Sequence, residues 1–362
     1  ANTYFVSLGW VSLFSAVLAM VILALTVREG QILWNRSHAN SYQELFAALY
    51  HPYDKLAILF DIFYDIMILM VVASCIAGAA SAFEQYLGIP YQAAALGVAG
   101  LVLFLSIYGA NLIRKVSTYM GMIILVLPIL IYSVGLMCGA DLWSLAQLDF
   151  QAQGFAQLPK AIFNAVTYAG FQWVTIPGVL ACGTVLQSKK ACDHGMYFNL
   201  LFNCLGLGLS VLMLFSWQSY FTAVDGGTTL PTLTVLMSEG MHTDILVLLY
   251  CIVLLLCMIS SAVVVVFGFI NRFEGAKACM AISNTQLRRG AIAVFIMGLS
   301  MFISFADLTN IVKFGYGYCG YFAVVIVIVP LLAVGAYKNR KYLKEHPEQT
   351  AVEEKTWNLC EE

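Results

Sequence analysis

Apolar residues run along this chain in long blocks, and charged residues gather in the gaps between them. A block of about 20 apolar residues is the length at which a helix crosses the hydrocarbon of a bilayer. Nine blocks meet that length, near 4–27, 56–86, 92–112, 116–138, 161–186, 196–223, 244–270, 290–306 and 311–337. A membrane barrel would instead show strands of about ten residues with alternating polarity. The pattern therefore predicts an all-α polytopic membrane protein with about nine spans. Two shorter segments stand apart. Residues 37–49 are amphipathic, and Ser41 followed by Glu44 forms a capping box, so a short interfacial helix is expected there. Residues 229–240, with Pro231 suited to a first helical turn, read as a helical hairpin or re-entrant cap. The connection 139–160 is long, and its Trp143 and Phe150 suit the headgroup level.

Composition agrees with this picture. The 362 residues are 61% hydrophobic and only 10% charged, far below the roughly one-quarter charged residues of soluble domains. A net charge of −2 offers no basic surface for nucleic acid. The basic residues decide orientation, because they resist translocation. With nine spans, 16 of the 18 fall on one side, in the gaps holding Arg28, Arg36 and Lys55, Arg114 and Lys115, Lys189 and Lys190, and Arg272 to Arg289, and in the tail from Lys338. Only Lys160 and Lys313 fall opposite. That side is expected to face the cytoplasm of a cell-membrane protein, with the C-terminal tail 342–362 inside and Ala1 outside. An outside Ala1 without a signal peptide suggests at least one further helix upstream. Ten cysteines without a CxxC pair are expected to form no structural disulfide.

The fifth block carries the most chemistry. Gly170, Phe171, Gln172, Trp173, Thr175, Pro177 and Gly178 interrupt an apolar run at membrane depth. Pro177 removes a backbone donor, and the glycines ease departure from helical dihedrals. A broken helix is expected at 168–178. Irregular backbone survives at such depth only under cover of protein or a water-filled cavity, and transporters bind their solutes at such breaks. Asn164, Tyr168, Phe171, Gln172 and Trp173 add amide and aromatic groups, whose ring faces attract an ammonium ion. Packing explains such a cluster too, above all for Tyr168 and Phe171. Asp61 and Asp65, one turn apart with Tyr64 between them, are intramembrane carboxylates near one end of their span. They suit a gate or interfacial pair, or proton coupling.

Several segments carry a resemblance: Leu8-Gly-Trp-Val11, the 41–49 run SYQELFAAL, the 73–90 run ASCIAGAASAFEQYLGIP, the 168–180 run YAGFQWVTIPGVL, the 260–268 run SSAVVVVFG and the 314–322 run FGYGYCGYF. In these the chain resembles the YkvI-like bacterial membrane proteins of the amino acid–polyamine–organocation superfamily. That resemblance implies the LeuT-type fold of five plus five inverted helices, with the fold's first helix missing from this chain. One transmembrane domain would span 1–341, with residues 4–138 completing the first repeat and 161–337 forming the second. It also implies a sodium site on the 244–270 span, where Ser260 and Ser261 with the Cys257 carbonyl would supply oxygen ligands. Some sodium-independent relatives place a lysine in that space from the helix equivalent to 116–138, which has none here.

The expected function is secondary active transport of a small organic solute, an amino acid or amine, with sodium as the preferred coupling ion and the proton second. No cofactor beyond sodium is expected. The sequence holds no GxxxxGK[ST], HExxH or GxSxG motif, which argues against ATP-driven transport or a membrane enzyme. A selectivity filter would show carbonyl loops or charge rings, and a metal carrier would want a thioether and carboxylates at the break. A transporter-like sensor without transport stays open.

Overall fold

The computed structural model describes residues 1–182, 186–222, 229–238, 244–276 and 279–346, with the backbone alone at 109–118 and 181–182. All regular structure among them is helical. A 3-10 segment, Val6–Val11, leads into α1, Ser12–Ser37. There follow α2 Tyr42–Tyr50, α3 Ile58–Leu87, α4 Tyr91–Phe104, α5 Ala110–Met137, α6 Leu142–Gln153, α7 Leu158–Phe171 and α8 Ile176–Cys182. The chain continues with α9 Lys189–Ser216, α10 Gln218–Thr222, α11 Pro231–Leu236, α12 Asp244–Phe273 and α13 Thr285–Ser304. The last helix, α14, runs over Leu308–Glu345, with π-helical turns at Ile311–Tyr316, Val324–Ile328 and Leu331–Gly335.

Eight of these helical stretches are long and apolar enough to cross a membrane. The chain is a multi-pass membrane protein. The ninth expected span, 161–186, is instead α7 and α8 in series, joined by a 3-10 turn at Gln172–Val174. A second expectation needs correcting. No loop surrounds Arg114 and Lys115; α4 passes through a π turn, Leu105–Gly109, straight into α5. Residues 105–118 contain no proline and a single glycine, and two basic residues do not by themselves end a helix. Residues 347–362, with Lys355 and Cys360, lie outside the described residues, as do Lys277 and the end of the 229–240 segment.

Local signals are read as expected in α2 and at the cap segment. The Ser41 hydroxyl accepts from the Glu44 amide at 3.3 Å, while the Glu44 carboxylate accepts from the Asn40 amide at 2.8 Å. Leu45, Phe46 and Leu49 form the buried face of α2. Pro231 opens α11. The long connection holds α6, started by Asp141 accepting from the Ser144 amide at 2.9 Å. None of its residues is buried, and Trp143 and Phe150 are exposed.

The helices pack as two sets. In one, α1 lies between α7 and α9; in the other, α3 lies against α12, α4 and α13. α14 packs against α7, and α5 joins the sets by touching both α12 and α9. Small residues bring the backbones together. A Cβ on Gly320 of α14 would fall 2.6 Å from Thr167 Cγ2 and 2.7 Å from the Thr167 carbonyl, and one on Gly170 would fall 2.8 Å from the Gly320 carbonyl. Gly9 has a second role. Its φ of +70° turns the first residues back along α7, and Asp149 occupies the place a Cβ would take.

Gly320→Val is therefore expected to cost about 1–3 kcal/mol or more through overpacking. The check is thermal unfolding in detergent, with Gly97→Val as control, since a Cβ on Gly97 meets nothing within 4 Å.

Candidate functional site

The interruption between α7 and α8 is a tightened turn. Phe171 and Thr175 flank it with helical dihedrals, so the chain narrows to 3-10 geometry without unwinding. The turn directs its side chains to two different places.

Tyr168, Phe171 and Gln172 face the start of the chain and α14. Tyr168 and Phe171 lie 4.9 Å apart between ring centroids. Tyr4 packs on both, at 5.9 Å and 5.3 Å, and Tyr316 packs on Phe171 at 5.2 Å. Polar atoms thread this aromatic layer. The Gln172 amide donates to the Tyr168 hydroxyl at 3.1 Å, and the Tyr4 hydroxyl donates to the Val312 carbonyl at 3.1 Å. Tyr316 and Ser74 of α3 share a hydrogen bond of 2.6 Å. Asn164 holds the returning segment in place by donating to the Tyr4 carbonyl at 2.8 Å. Gly170 serves the close approach to α14 described above.

Trp173 and Thr175 do not join that layer. Trp173 is fully buried. Its indole N–H donates to the Thr26 hydroxyl at 3.0 Å, its ring meets Phe46 edge-on, and it lies over Gly30, where a Cβ would come within 2.9 Å. It pins α7–α8 to α1 and α2. Thr175 is exposed, and its hydroxyl donates back to the Gln172 carbonyl at 2.9 Å.

A cavity of about 270 Å³ adjoins the aromatic layer. Val312 lines it and also accepts the Tyr4 hydroxyl. Its other walls are rich in hydroxyl groups: Tyr132 of α5, Ser210 of α9, Thr232 of α11, Tyr250 of α12 and Thr309 of α14. No lining side chain is acidic or basic. Beside the backbone of Ala1 with its α-amino group, the cavity offers uncharged side-chain donors and acceptors where the two helix sets meet.

Further along α12, Cys257, Ser260 and Ser261 are half-buried. The Ser260 hydroxyl donates to the Cys257 carbonyl at 3.2 Å. Two of the groups expected to face an ion are thus joined by an ordinary intrahelical contact.

Asp61 and Asp65 converge on one cation. Arg272, at the end of α12, reaches Asp61 Oδ1 and Asp65 Oδ1, both at 2.9 Å. Gln43 adds a donor to Asp61 at 3.2 Å. The guanidinium also lies 5.3 Å from the Tyr42 ring, 5.6 Å from Tyr64 and 5.3 Å from Phe273. Two carboxylates and three aromatic faces therefore enclose a single arginine, and the cluster ties α2, α3 and α12 at the basic end. The sequence places Arg272 only among the basic residues that set orientation. The cavity hydroxyls carry no signal there, because five elements contribute them. Tyr4 and the α14 register are equally invisible before folding.

Arg272→Gln is expected to cost about 2 kcal/mol, less than a fully buried pair because the carboxylates keep some solvent. Adding Asp61→Asn and Asp65→Asn should recover most of that loss in a detergent melt. A triple variant as unstable as the single one would assign the effect to ring stacking instead. Trp173→Ala is expected to cost about 3–5 kcal/mol through its cavity alone, read from the same melts without any ligand.

Compared with known proteins, the chain matches no family model and no curated protein.

Proposed function

We propose that this chain is a secondary active transporter of a small organic solute, an amino acid or amine, and not an enzyme. The observation that carries the reading is the interrupted α7–α8 helix, whose Tyr168 and Phe171 pack on Tyr4, which in turn bonds Val312 in the wall of the hydroxyl-lined cavity. A neutral site of hydroxyls, an amide and ring faces suits a zwitterion or an ammonium group, which is recognised by oriented dipoles and cation–π attraction.

The packing supports a LeuT-type arrangement of two inverted repeats, as in the YkvI-like members of the amino acid–polyamine–organocation superfamily. In that register α1 pairs with α9, α3 with α12, and α4 with α13, each with its repeat counterpart, and each of those pairs is in contact. In the mechanism, the set containing α1, α7, α8 and α9 rocks against the set containing α3, α4, α12 and α13. The basic end faces the cytoplasm of the cell membrane, and Arg272 with Asp61 and Asp65 closes that side as a gate. Sodium is the preferred coupling ion, held by Ser260, Ser261 and the Cys257 carbonyl. The intrahelical hydrogen bond from Ser260 to that carbonyl would yield to the ion on binding. Proton coupling is second, since Arg272 already engages both carboxylates.

The test is a thermal-shift screen of amino acids and amines with and without sodium, followed by uptake into proteoliposomes under a sodium gradient. A ligand that binds only the folded protein raises its melting temperature by mass action. The expected result is a sodium-dependent rise that Gln172→Ala and Ser260→Ala abolish, with Ser260→Ala weakening apparent sodium affinity about tenfold, near 1.4 kcal/mol. A rise indifferent to sodium but sensitive to pH would transfer coupling to Asp61 and Asp65. A tight ligand that is never accumulated would make the protein a sensor.

A further inference from the structure

A second cavity lies at the basic end. It measures about 230 Å³ and sits between α1, the start of α9 and the last turns of α14. Arg28 and Glu29 line it from α1, Lys189 from α9, and Asn339 and Arg340 from α14. Ile32 and Leu343 give it an apolar lip.

Its charges are unevenly matched. Arg28 is bound by both Glu29 and Asp193. Glu29 also accepts from the Asn339 amide at 2.8 Å. Both carboxylates are thus already engaged. Lys189 reaches Asp193 only at 4.0 Å, and Arg340 has no ion pair or hydrogen bond among the described residues. Two cationic heads from two helices therefore share a cavity whose one lining carboxylate, Glu29, is already held by Arg28 and Asn339, Lys189 keeping only its long approach to Asp193. The depth is informative as well. Arg28 is the first charged residue after the apolar block of α1, so the cavity lies where hydrocarbon gives way to headgroups. Anionic lipids concentrate there and bind basic pockets between helices. A guanidinium and an ammonium together match the oxygens of a phosphate. Ile32 and Leu343 would meet the glycerol and first methylenes, which a free phosphate lacks.

We infer that this cavity binds the phosphate of an anionic phospholipid and so ties α1, α9 and α14 to the membrane surface. The inference uses the cavity and the membrane fold, and it stands whether or not the transport reading does.

The full chain in detergent is melted with dioleoyl phosphatidylglycerol, with dioleoyl phosphatidylcholine, and with inorganic phosphate, and so is the Lys189→Gln/Arg340→Gln variant. Arg28 is left intact because it holds α1 to α9. Phosphatidylglycerol should raise the melting temperature of the parent by several degrees and that of the variant by less than half as much, while the other two additives do little. The variant without lipid should melt close to the parent, since neither substituted side chain has a close partner. An equal rise in parent and variant, no rise in either, or a rise with inorganic phosphate as large as with lipid would each overturn the inference. Native mass spectrometry provides a second reading that does not depend on stability: phosphatidylglycerol retained by the parent should fall about tenfold in the variant.

Discussion

Every backbone donor and acceptor in the hydrocarbon must find its partner within the protein, because lipid offers none. That constraint explains why the described chain is helical throughout and where it departs from α geometry. The departures lie under cover. The 3-10 turn at Gln172–Val174 buries its own Trp173 and Val174, and Phe171 just before it is covered by Tyr4 and Tyr316. Two π turns of α14 present carbonyls to tyrosine hydroxyls from elsewhere: Val312 accepts from Tyr4, and Ile326 accepts from Tyr50. A π turn loosens one carbonyl from the helical ladder, and a hydroxyl from another element supplies the missing partner. The same logic operates at helix ends. Lys338 donates to the Ala48, Leu49 and His51 carbonyls at 2.8–3.0 Å, which are the unpaired acceptors at the end of α2. Asn35 does this for Leu186 and Gln187 between α8 and α9.

Charge follows from the same constraint. An ionised side chain is tolerated near the apolar region only with partners. Arg272 has its two carboxylates and three rings, and Arg28 has Glu29 and Asp193. Both clusters lie at the basic end, and each joins helices distant in sequence. The aromatic layer and its cavity carry no such pair. The molecule thus concentrates ionic contacts at one end and leaves uncharged dipoles at the junction of its two helix sets.

Much of this fold was legible in the sequence, for a physical reason. Hydrophobic block length is a local property, so eight spans, the α2 cap and the position of the break could be read from neighbouring residues alone. The direction of a side chain across the bundle is not local. Trp173 and Gln172 are adjacent, yet Trp173 points to Thr26 while Gln172 points to Tyr168. No periodicity argument separates them once the helix tightens to 3-10. Asp61 and Asp65 were visible as costly carboxylates, but the cation that balances them is some two hundred positions away. The loop expected at Arg114–Lys115 failed for the opposite reason: a topological rule about charge was used to predict a local break that the residues there do not encode.

Directional contacts are unevenly distributed between the two helix sets. Ser15 donates to the Ala161 carbonyl, Trp173 to Thr26 and Asn35 to Leu186, while Arg28 pairs with Asp193. These contacts bind α1, α7, α8 and the start of α9 along their length. In the other set, Tyr91 donates to the Ser304 carbonyl and Arg272 joins α12 to α3. Where α2 meets α3, the contacts are the stacked pair Phe46 and Phe60, with ring centroids 3.8 Å apart, and the Gln43–Asp61 hydrogen bond at the basic end. Hydrogen bonds and ion pairs fix geometry, whereas stacked rings and methyl surfaces slide with little loss of contact. A rigid-body displacement of one set against the other would therefore keep each set's polar contacts and shear mainly apolar ones. The interrupted helix would travel with α1, because Trp173 and Ser15 anchor both of its sides. Of the polar layer, the Tyr316–Ser74 bond is the contact that such a displacement must break or carry along, since it joins α14 to α3 beside the turn. A single shared hydrogen bond contributes about 1 kcal/mol, small enough for either outcome.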